Sequence, residues 1–343
     1  MAALFARISA PFYSRTVFAR AMSEAKVLVT RQVPDSFIAP LLQETSIKVI
    51  PGGRDAMPKQ KLHEMVRGVD GILCTLCDRI DESVLRAAGS SLKVVSTMSV
   101  GYNHIDVEAC KKQNVAVGYT PDVLTDATAE LAVALLLATS RRLFEGALSL
   151  RMGQWGSWDP TYMLGKGLKG STVGVMGMGR IGQAVAKRLL PFGVEKMLYS
   201  GRAAKPEIDY ADFVSFEQLL ERSDFIVVTC ALTAETTNLF SSEQFSTMKN
   251  TAVFVNVARG EVVDQAALVQ ALKSNQIAAA GLDVMTPEPI PTNHELVQLS
   301  NCVLVPHIGS AEEQTRLMMG QLAAKNIVAA LKQESLPTPV PGT

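Results

Sequence analysis

From Lys26 onward, short apolar runs alternate with stretches whose apolar positions recur every three or four residues. The segments "KVLVT", "SIKVI", "GILCTL", "LKVVSTM" and "VAVGYT" are nearly continuous and rich in β-branched residues, the pattern of strands buried on both faces. Between them, "SFIAPLLQET", "MPKQKLHEMVRG", "ESVLRAAG" and "HIDVEACKKQ" carry helical periodicity. Strands this short, separated by helices, predict a parallel sheet. The stretch "PDVLTDATAELAVALLLATSRRLFEGAL" then predicts one long helix beyond Pro121, with Thr125 and Asp126 as candidate caps. It is too apolar for a surface helix and is expected between domains or in a subunit interface. A second alternating series runs through "STVGVMGMG", "KMLYSGR", "DFIVVTCAL", "TAVFVNVARG", "IAAAGLDV" and "NCVLVPHIG", and a last helix covers "AEEQTRLMMGQLAAKNIVAALKQ". Two such series in 343 residues predict an α/β protein of two Rossmann-like, doubly wound parallel-sheet domains.

The second series opens on "TVGVMGMGRIGQAVAKRL", where Gly177, Gly179 and Gly182 form G-x-G-x-x-G between a strand and an amphipathic helix. Gly177 permits the tight turn, Gly179 lets a pyrophosphate approach the backbone, and Gly182 lets helix and strand pack closely. The helix N-terminus adds free N–H groups and the positive end of its dipole. A dinucleotide is the expected ligand. Ligands of such sheets bind beyond the carboxyl ends of the strands. There the second series places Arg259 in "VFVNVARG", Asp283 in "AAAGLDV" and His307 in "VLVPHIGS", and the loop "TPEPIPTNHEL" adds Glu288 between two prolines.

Arg, Glu and His on neighbouring strand ends form a chemical set. A guanidinium can fix a carboxylate with two parallel hydrogen bonds. An imidazole ionises near neutrality and can give or take a proton, and a neighbouring carboxylate favours its charged form. The other three histidines are read differently: His63 as solvated on a polar helix, His104 as a cap on a turn near the cleft, and His294 as a loop residue. They form no metal cluster.

Composition narrows the function. Net charge is zero at pH 7, which gives no electrostatic footprint for nucleic acid or an anionic membrane. The most apolar helix, "ELAVALLLATS", is shorter than a membrane span. Cys74, Cys77, Cys110, Cys230 and Cys302 are scattered, and the C-x-x-C pair is read as buried strand cysteine in a reducing compartment. Residues 1–22 carry Arg7, Arg15 and Arg20 and no acid. That composition fits an organelle presequence, with Met22 as an alternative start, so a mitochondrial or cytoplasmic location is expected. The ending "TPVPGT" is not a peroxisomal address.

The segments "VVSTMSVGYNHID", "GYTPDVLTDATAELAVALLL", "GMGRIGQAVAKRLLPFG", "NVARGEVVDQAAL", "AAAGLDVMTPEPIPTNHEL" and "VPHIGSA" resemble the D-isomer-specific 2-hydroxyacid dehydrogenases from about Val27 to Lys332. Within that family the chain is most similar to the eukaryotic branch acting on glyoxylate and hydroxypyruvate. The resemblance implies a substrate domain of residues 24–122 plus 306–336, a dinucleotide domain of residues 123–305, an extension of residues 1–23, and an active site in the cleft. It implies reduction of hydroxypyruvate to D-glycerate and of glyoxylate to glycolate. It assigns His307 as acid/base, Glu288 as its partner and Arg259 as the carboxylate anchor, helped by the backbone of Val100 and Gly101 and by Ser310. Arg180, Ile181, Ala231, Val257, Asp283 and Gly309 are implied beside the glycines as cofactor contacts, with Asp283 near the nicotinamide. Two relatives of the fold serve as rivals: 3-phosphoglycerate dehydrogenases usually carry a further regulatory domain, and corepressors a long tail.

Two expectations remain. Relatives that prefer NADH end the strand after the fingerprint helix in Asp or Glu; aligned on Gly182, that position is Ser200, followed by Gly201 and Arg202. With no carboxylate to repel a 2′-phosphate and a guanidinium to pair with it, NADPH is the expected cofactor, with NADH also accepted. The segment "RMGQWGSWDPTYMLGKGL" matches an arm that embraces a second subunit in the family, so a homodimer is expected, with Trp155 and Trp158 buried in it and Trp158 reaching a substrate pocket. The alternative is that these aromatics cover their own domain.

Overall fold

The computed structural model describes residues 24–342, so the presequence expected at the N-terminus lies outside the described residues. The first apolar series forms five parallel strands: β1 (Ala25–Arg31), β2 (Ile47–Gly53), β3 (Gly71–Cys74), β4 (Val94–Thr97) and β5 (Ala116–Gly118), in the order β2-β1-β3-β4-β5. The second forms seven: β6 (Thr172–Met176), β7 (Lys196–Ser200), β8 (Asp212–Phe213), β9 (Phe225–Val228), β10 (Val253–Asn256), β11 (Ala279–Leu282) and β12 (Cys302–Leu304), in the order β12-β11-β10-β9-β6-β7-β8. All its pairings are parallel. Chain order reverses between β6 and β9 in one sheet and between β1 and β3 in the other, which opens a crevice at each.

The central strands are apolar on both faces because both faces are covered. Phe225, Val227 and Val255 pack with Leu135, Leu136, Val185 and Leu189 on one side, while Ile226, Val228 and Phe254 meet Phe240, Phe245, Leu268 and Leu272 on the other. The first sheet is closed on one face by the last helix, Glu313–Leu331, whose Ala323, Ala324 and Ile327 pack against Val27, Val29, Leu73 and Val94. The chain then returns along β5, where Tyr119 N–H bonds the Thr338 carbonyl at 3.2 Å and Val340 N–H the Val117 carbonyl at 2.8 Å.

The long apolar helix departs from the expectation. It is two helices, Thr125–Ser140 and Leu143–Arg151, separated at Arg142, whose φ of +54° is left-handed. The Arg142 guanidinium grips Glu145 in the first turn of the second helix through bonds of 2.8 and 2.7 Å, which stabilises the break. Thr125 and Asp126 are first-turn residues and not caps; Leu124 occupies the cap position, and Asp126 pairs with Arg188 at 2.7 Å. The first helix lies against β10, β11 and the helix Arg180–Leu189, so its apolar surface is buried within the second half and not between domains. The helix expected over "SFIAPLLQET" is a 3-10 turn, Asp35–Phe37, followed by Ala39–Leu42, with Pro40 in its first turn.

Candidate active site

At the β6/β9 reversal, Gly177 has a φ of +97° and lies so close to Cys230 that a Cβ would stand 2.6 Å from that residue's Cα. Its N–H bonds the Ser200 carbonyl at 2.9 Å, and Thr229 Oγ1 donates to its carbonyl at 2.6 Å. A side chain on Gly182 would strike the Gly177 carbonyl and Thr229. Gly179, by contrast, caps the helix Arg180–Leu189 and faces open space. Two glycines therefore serve packing, and the third leaves room where a phosphate would meet the helix N-terminus. Ile181 is half-buried behind the turn, and Arg180 reaches across the crevice to pair with Asp122 at 2.5 Å.

β7 ends at buried Ser200, and Gly201 and Arg202 are exposed in the turn that follows. That turn is pinned from below: the Lys205 N–H donates to the Tyr199 hydroxyl at 2.8 Å. Lys205 itself lies 3.7 Å from Glu207. The positive charge of Arg202 acts on Glu235 in the facing loop beyond exposed Ala231. Val257 is buried just after β10.

β10, β11 and β12 deliver the charged set. Glu288 Oε2 lies 2.7 Å from His307 Nδ1, and Glu288 Oε1 accepts from the Met285 N–H at 3.1 Å. Burial pushes the Glu288 carboxyl up, but the His307 contact, the Met285 N–H and the Arg259 charge together outweigh it and leave the group lowered. The Glu288 loop, with cis bonds before Pro287 and Pro289, is clamped by Gln265, which accepts from the Thr286 N–H at 2.9 Å. His307 has a φ of +51°, a conformation L-residues rarely hold. Asp283 keeps it there: its carbonyl accepts the His307 N–H at 2.9 Å, and its carboxylate accepts the Ile308 and Gly309 N–H groups at 2.7 and 2.9 Å. Burial raises the Asp283 carboxyl despite those bonds. Both its oxygens thus hold the His307 turn. Ser310 follows, its carbonyl bonded by Arg316 Nε at 3.0 Å.

Arg259 spans the cleft. Its Nη1 bonds the Ala258 carbonyl at 2.7 Å, and its Nε faces Asn103 Oδ1 at 3.3 Å on the loop after β4. Asn256 holds the turn by donating to the Arg259 carbonyl and accepting from the Ala258 N–H, both at 2.9 Å. On the first sheet's side, Gly101 packs against the guanidinium so closely that a Cβ would stand 2.8 Å from Cζ. Val100, Gly101, Arg259, Glu288 and His307 thus belong to one crevice. Sequence reasoning passed over Asn103, Asn256, Gln265 and Arg316; polar residues at strand ends are the only signal that could have flagged the first two.

Other residues fall elsewhere. His104 is buried and bonds Thr97 Oγ1 at 2.9 Å, so it is an interior group and not a turn cap. His63 is half-buried and bonds Ser83 at 3.0 Å between two helices, and His294 caps Glu295–Gln298 by accepting from the Leu296 N–H at 3.1 Å. All five cysteines are free; Cys74 is buried, whereas Cys77 is exposed. Among the described residues, no helix is long and apolar enough to cross a membrane, and no cluster of His, Cys, Asp or Glu could hold a metal ion. Trp155 and Trp158 are 56% and 81% exposed in the single chain, so they do not cover their own domain.

Comparison with known proteins places this architecture. Residues 133–309 match the family model described as D-isomer specific 2-hydroxyacid dehydrogenase, NAD binding domain. A Mus musculus glyoxylate reductase/hydroxypyruvate reductase is 51% identical over 317 residues, covering 91% of this chain and 97% of that protein. Among solved structures, a Thermus thermophilus protein superposes with a TM-score of 0.87 at 44% identity, covering 92% of this chain and 99% of that one. An NADPH-dependent glyoxylate/hydroxypyruvate reductase from Sinorhizobium meliloti, in complex with NADP and malonate, gives 0.81 at 32% identity, covering 93% and 97%. The chain belongs to the D-isomer-specific 2-hydroxyacid dehydrogenase family. It is accordingly an oxidoreductase that uses a nicotinamide dinucleotide.

Proposed function

We propose that this enzyme reduces small 2-oxo acids, hydroxypyruvate to D-glycerate and glyoxylate to glycolate, with NADPH as the preferred hydride donor. The observation that carries the reading is the Glu288–His307 pair at 2.7 Å in the same crevice as the Arg259 guanidinium. Arg259 and the N–H groups of Val100 and Gly101 hold the substrate carboxylate. Glu288 engages His307 Nδ1, so Nε2 is the atom that gives a proton to the developing alkoxide. Asp283 and Gly309 keep the His307 turn in place. Gly177, Gly179, Arg180, Ile181 and Gly182 would hold the dinucleotide's pyrophosphate, Arg202 beside Ser200 and Gly201 its 2′-phosphate, and Ala231, Val257 and Asp283 the nicotinamide side. When bound, the dinucleotide supplies the hydride.

The names of the mouse and Sinorhizobium relatives support the substrates and, for the latter, the cofactor. A homodimer is part of the reading. Leu143, Phe144, Leu148, Leu150, Met152 and Trp155 lie exposed along one short segment, an apolar strip that a second copy would cover, with Trp158 reaching that copy's substrate pocket. So is a mitochondrial or cytoplasmic site of action, which rests on the Arg-rich, acid-free first 22 residues. The test is steady-state reduction of glyoxylate, hydroxypyruvate and pyruvate with NADPH and with NADH. Hydroxypyruvate and glyoxylate should turn over well, and His307→Ala should lower kcat by about 100-fold or more, the scale of lost general acid catalysis. Near-normal turnover by that variant, or no turnover of either acid by the native enzyme, refutes the reading.

A further inference from the structure

Beneath the Val100–Gly101 loop, a line of buried polar groups leads from the crevice of the first sheet to the Gly101 carbonyl, and the chemistry above uses none of them. At its inner end Asp78 is 2% exposed, and its Oδ2 accepts from Thr30 Oγ1 at 2.6 Å, Thr75 N–H at 2.8 Å and Thr75 Oγ1 at 2.9 Å. His104 lies within reach of the Asp78 charge. His104 Nε2 is 2.9 Å from Thr97 Oγ1, Thr97 Oγ1 is 2.8 Å from Ser99 Oγ, and Ser99 Oγ donates to the Gly101 carbonyl at 2.7 Å.

The direction of this chain is forced. A carbonyl only accepts, so the single Ser99 proton goes to Gly101, and Ser99 must accept from Thr97. The Thr97 proton is then committed, and His104 must donate to Thr97 from Nε2–H. Burial, and after it the charge of Arg259, push His104 down to about 4 against the opposing effect of Asp78. The ring is therefore neutral in ordinary buffers, with its one proton on Nε2. Its backbone is fixed as well: the Ile80 N–H bonds the His104 carbonyl at 2.9 Å, and the Asp106 N–H bonds the Ile80 carbonyl at 2.8 Å.

A buried polar chain of this kind costs free energy unless every member is satisfied, and an apolar filling would support a loop equally well. Gly101 supplies the reason for it. The residue must lack a Cβ because Arg259 packs on it, and a glycine leaves the backbone free to rotate. The Ser99 hydroxyl removes that freedom: its bond to the Gly101 carbonyl closes a ring around the two intervening peptides, which carry the Val100 and Gly101 N–H groups.

We infer that His104, Thr97 and Ser99 are positioning residues, a hydrogen-bond relay that holds the Val100–Gly101 N–H groups beside Arg259 in the geometry that receives a carboxylate. This rests on the carboxylate role given above to Arg259, Val100 and Gly101. The relay touches no reacting atom. It acts on affinity for the acid and leaves hydride and proton transfer to the other residues.

The experiment uses the full chain with Ser99→Ala, Thr97→Val, His104→Leu and His104→Gln, and oxalate as a non-reacting carboxylate probe. Ser99→Ala and Thr97→Val should each raise the KM for hydroxypyruvate and the oxalate Ki by about 10-fold, with kcat changed less than about 3-fold and the KM for NADPH unchanged. His104→Gln, whose amide N–H can donate in place of Nε2–H, should recover most of the oxalate affinity lost in His104→Leu. A merely structural role would shift Tm and move every constant together. Ser99→Ala removes one oxygen and remains informative even if the His104 variants fail to fold. Wild-type KM and Ki in a stable Ser99→Ala protein overturn the relay. Arg259→Ala, run alongside, separates the two ideas: loss of oxalate binding there but not in Ser99→Ala sinks the relay alone, and loss in neither sinks the carboxylate reading too.

Discussion

Replacing Gly101 by alanine tests the shared carboxylate cradle by adding a single methyl group. The backbone φ at Gly101 lies outside the left-handed region, so alanine fits the chain itself. The obstacle is across the cleft. An ideal Cβ would stand 2.8 Å from Arg259 Cζ and 3.3 Å from Nε, with Nη2 closer still. Carbon pairs rest at about 3.5–4.0 Å, so the guanidinium must retreat by roughly 1 Å. Its bonds to Asn103 Oδ1 at 3.3 Å and to the Ala258 carbonyl at 2.7 Å do not both survive such a shift. A charge-assisted hydrogen bond contributes about 1.5–3 kcal/mol, so losing one of a bidentate pair predicts a KM for hydroxypyruvate raised about 10- to 100-fold. Stability should hardly change, because what moves is the far end of a flexible side chain; a cost under about 1 kcal/mol shifts Tm by no more than about 4 °C. The assays are initial rates at saturating NADPH and a thermal melt of the same preparation. An unchanged KM would refute the shared cradle, and a collapse of Tm would show that this glycine serves folding instead.

Other expectations follow from the same structure. Arg202→Ala should lower kcat/KM for NADPH by about 10-fold while leaving NADH nearly unaffected, the loss expected for one charged contact to a phosphate; an unchanged preference rejects the assignment. Asp224, held by the Thr172 N–H, Lys166 and Lys249, is lowered from 3.8 to about 2 although burial alone would raise it. A depressed carboxyl stabilises the fold above its unfolded value and loses that contribution as pH falls through the folded one. Asp224→Asn should therefore cost about 2 kcal/mol at neutral pH and flatten the stability profile between pH 3.8 and about 2; parallel profiles for variant and native protein would count against it. Sedimentation at micromolar concentration should give a dimer that Leu148→Ser combined with Trp155→Ser dissociates, and a monomeric native protein would exclude that interface.

How much of this was legible beforehand depended on the kind of signal. Gly177, Gly179 and Gly182 were legible because a tight turn, the approach of a phosphate and close helix–strand packing each call for glycine at a fixed spacing. Arg259, Asp283 and His307 could be placed because parallel strands deliver their carboxyl ends to one edge of the sheet. Their partners were harder. Nothing local to Asp283 shows that it straps the His307 turn, since that bond joins residues brought together only by β11 and β12 pairing. The break at Arg142 hid inside a periodic apolar run because a left-handed arginine leaves no mark on hydrophobicity. His104 read as a cap on a turn near the cleft, and its burial is decided by the neighbouring segment at Ile80, remote in sequence.

The last helix has a consequence for how the chain is made. Val27, Val29, Leu73 and Val94 are synthesised before the whole second sheet, whereas the side chains that cover them, Ala323, Ala324 and Ile327, are synthesised after it. The span from Thr125 to Leu304, by contrast, holds its whole sheet in one continuous stretch and can fold while translation continues. During that interval the early sheet presents an uncovered apolar face. A chain arrested before Glu313 should therefore carry a protease-resistant second half and a first half that engages chaperones.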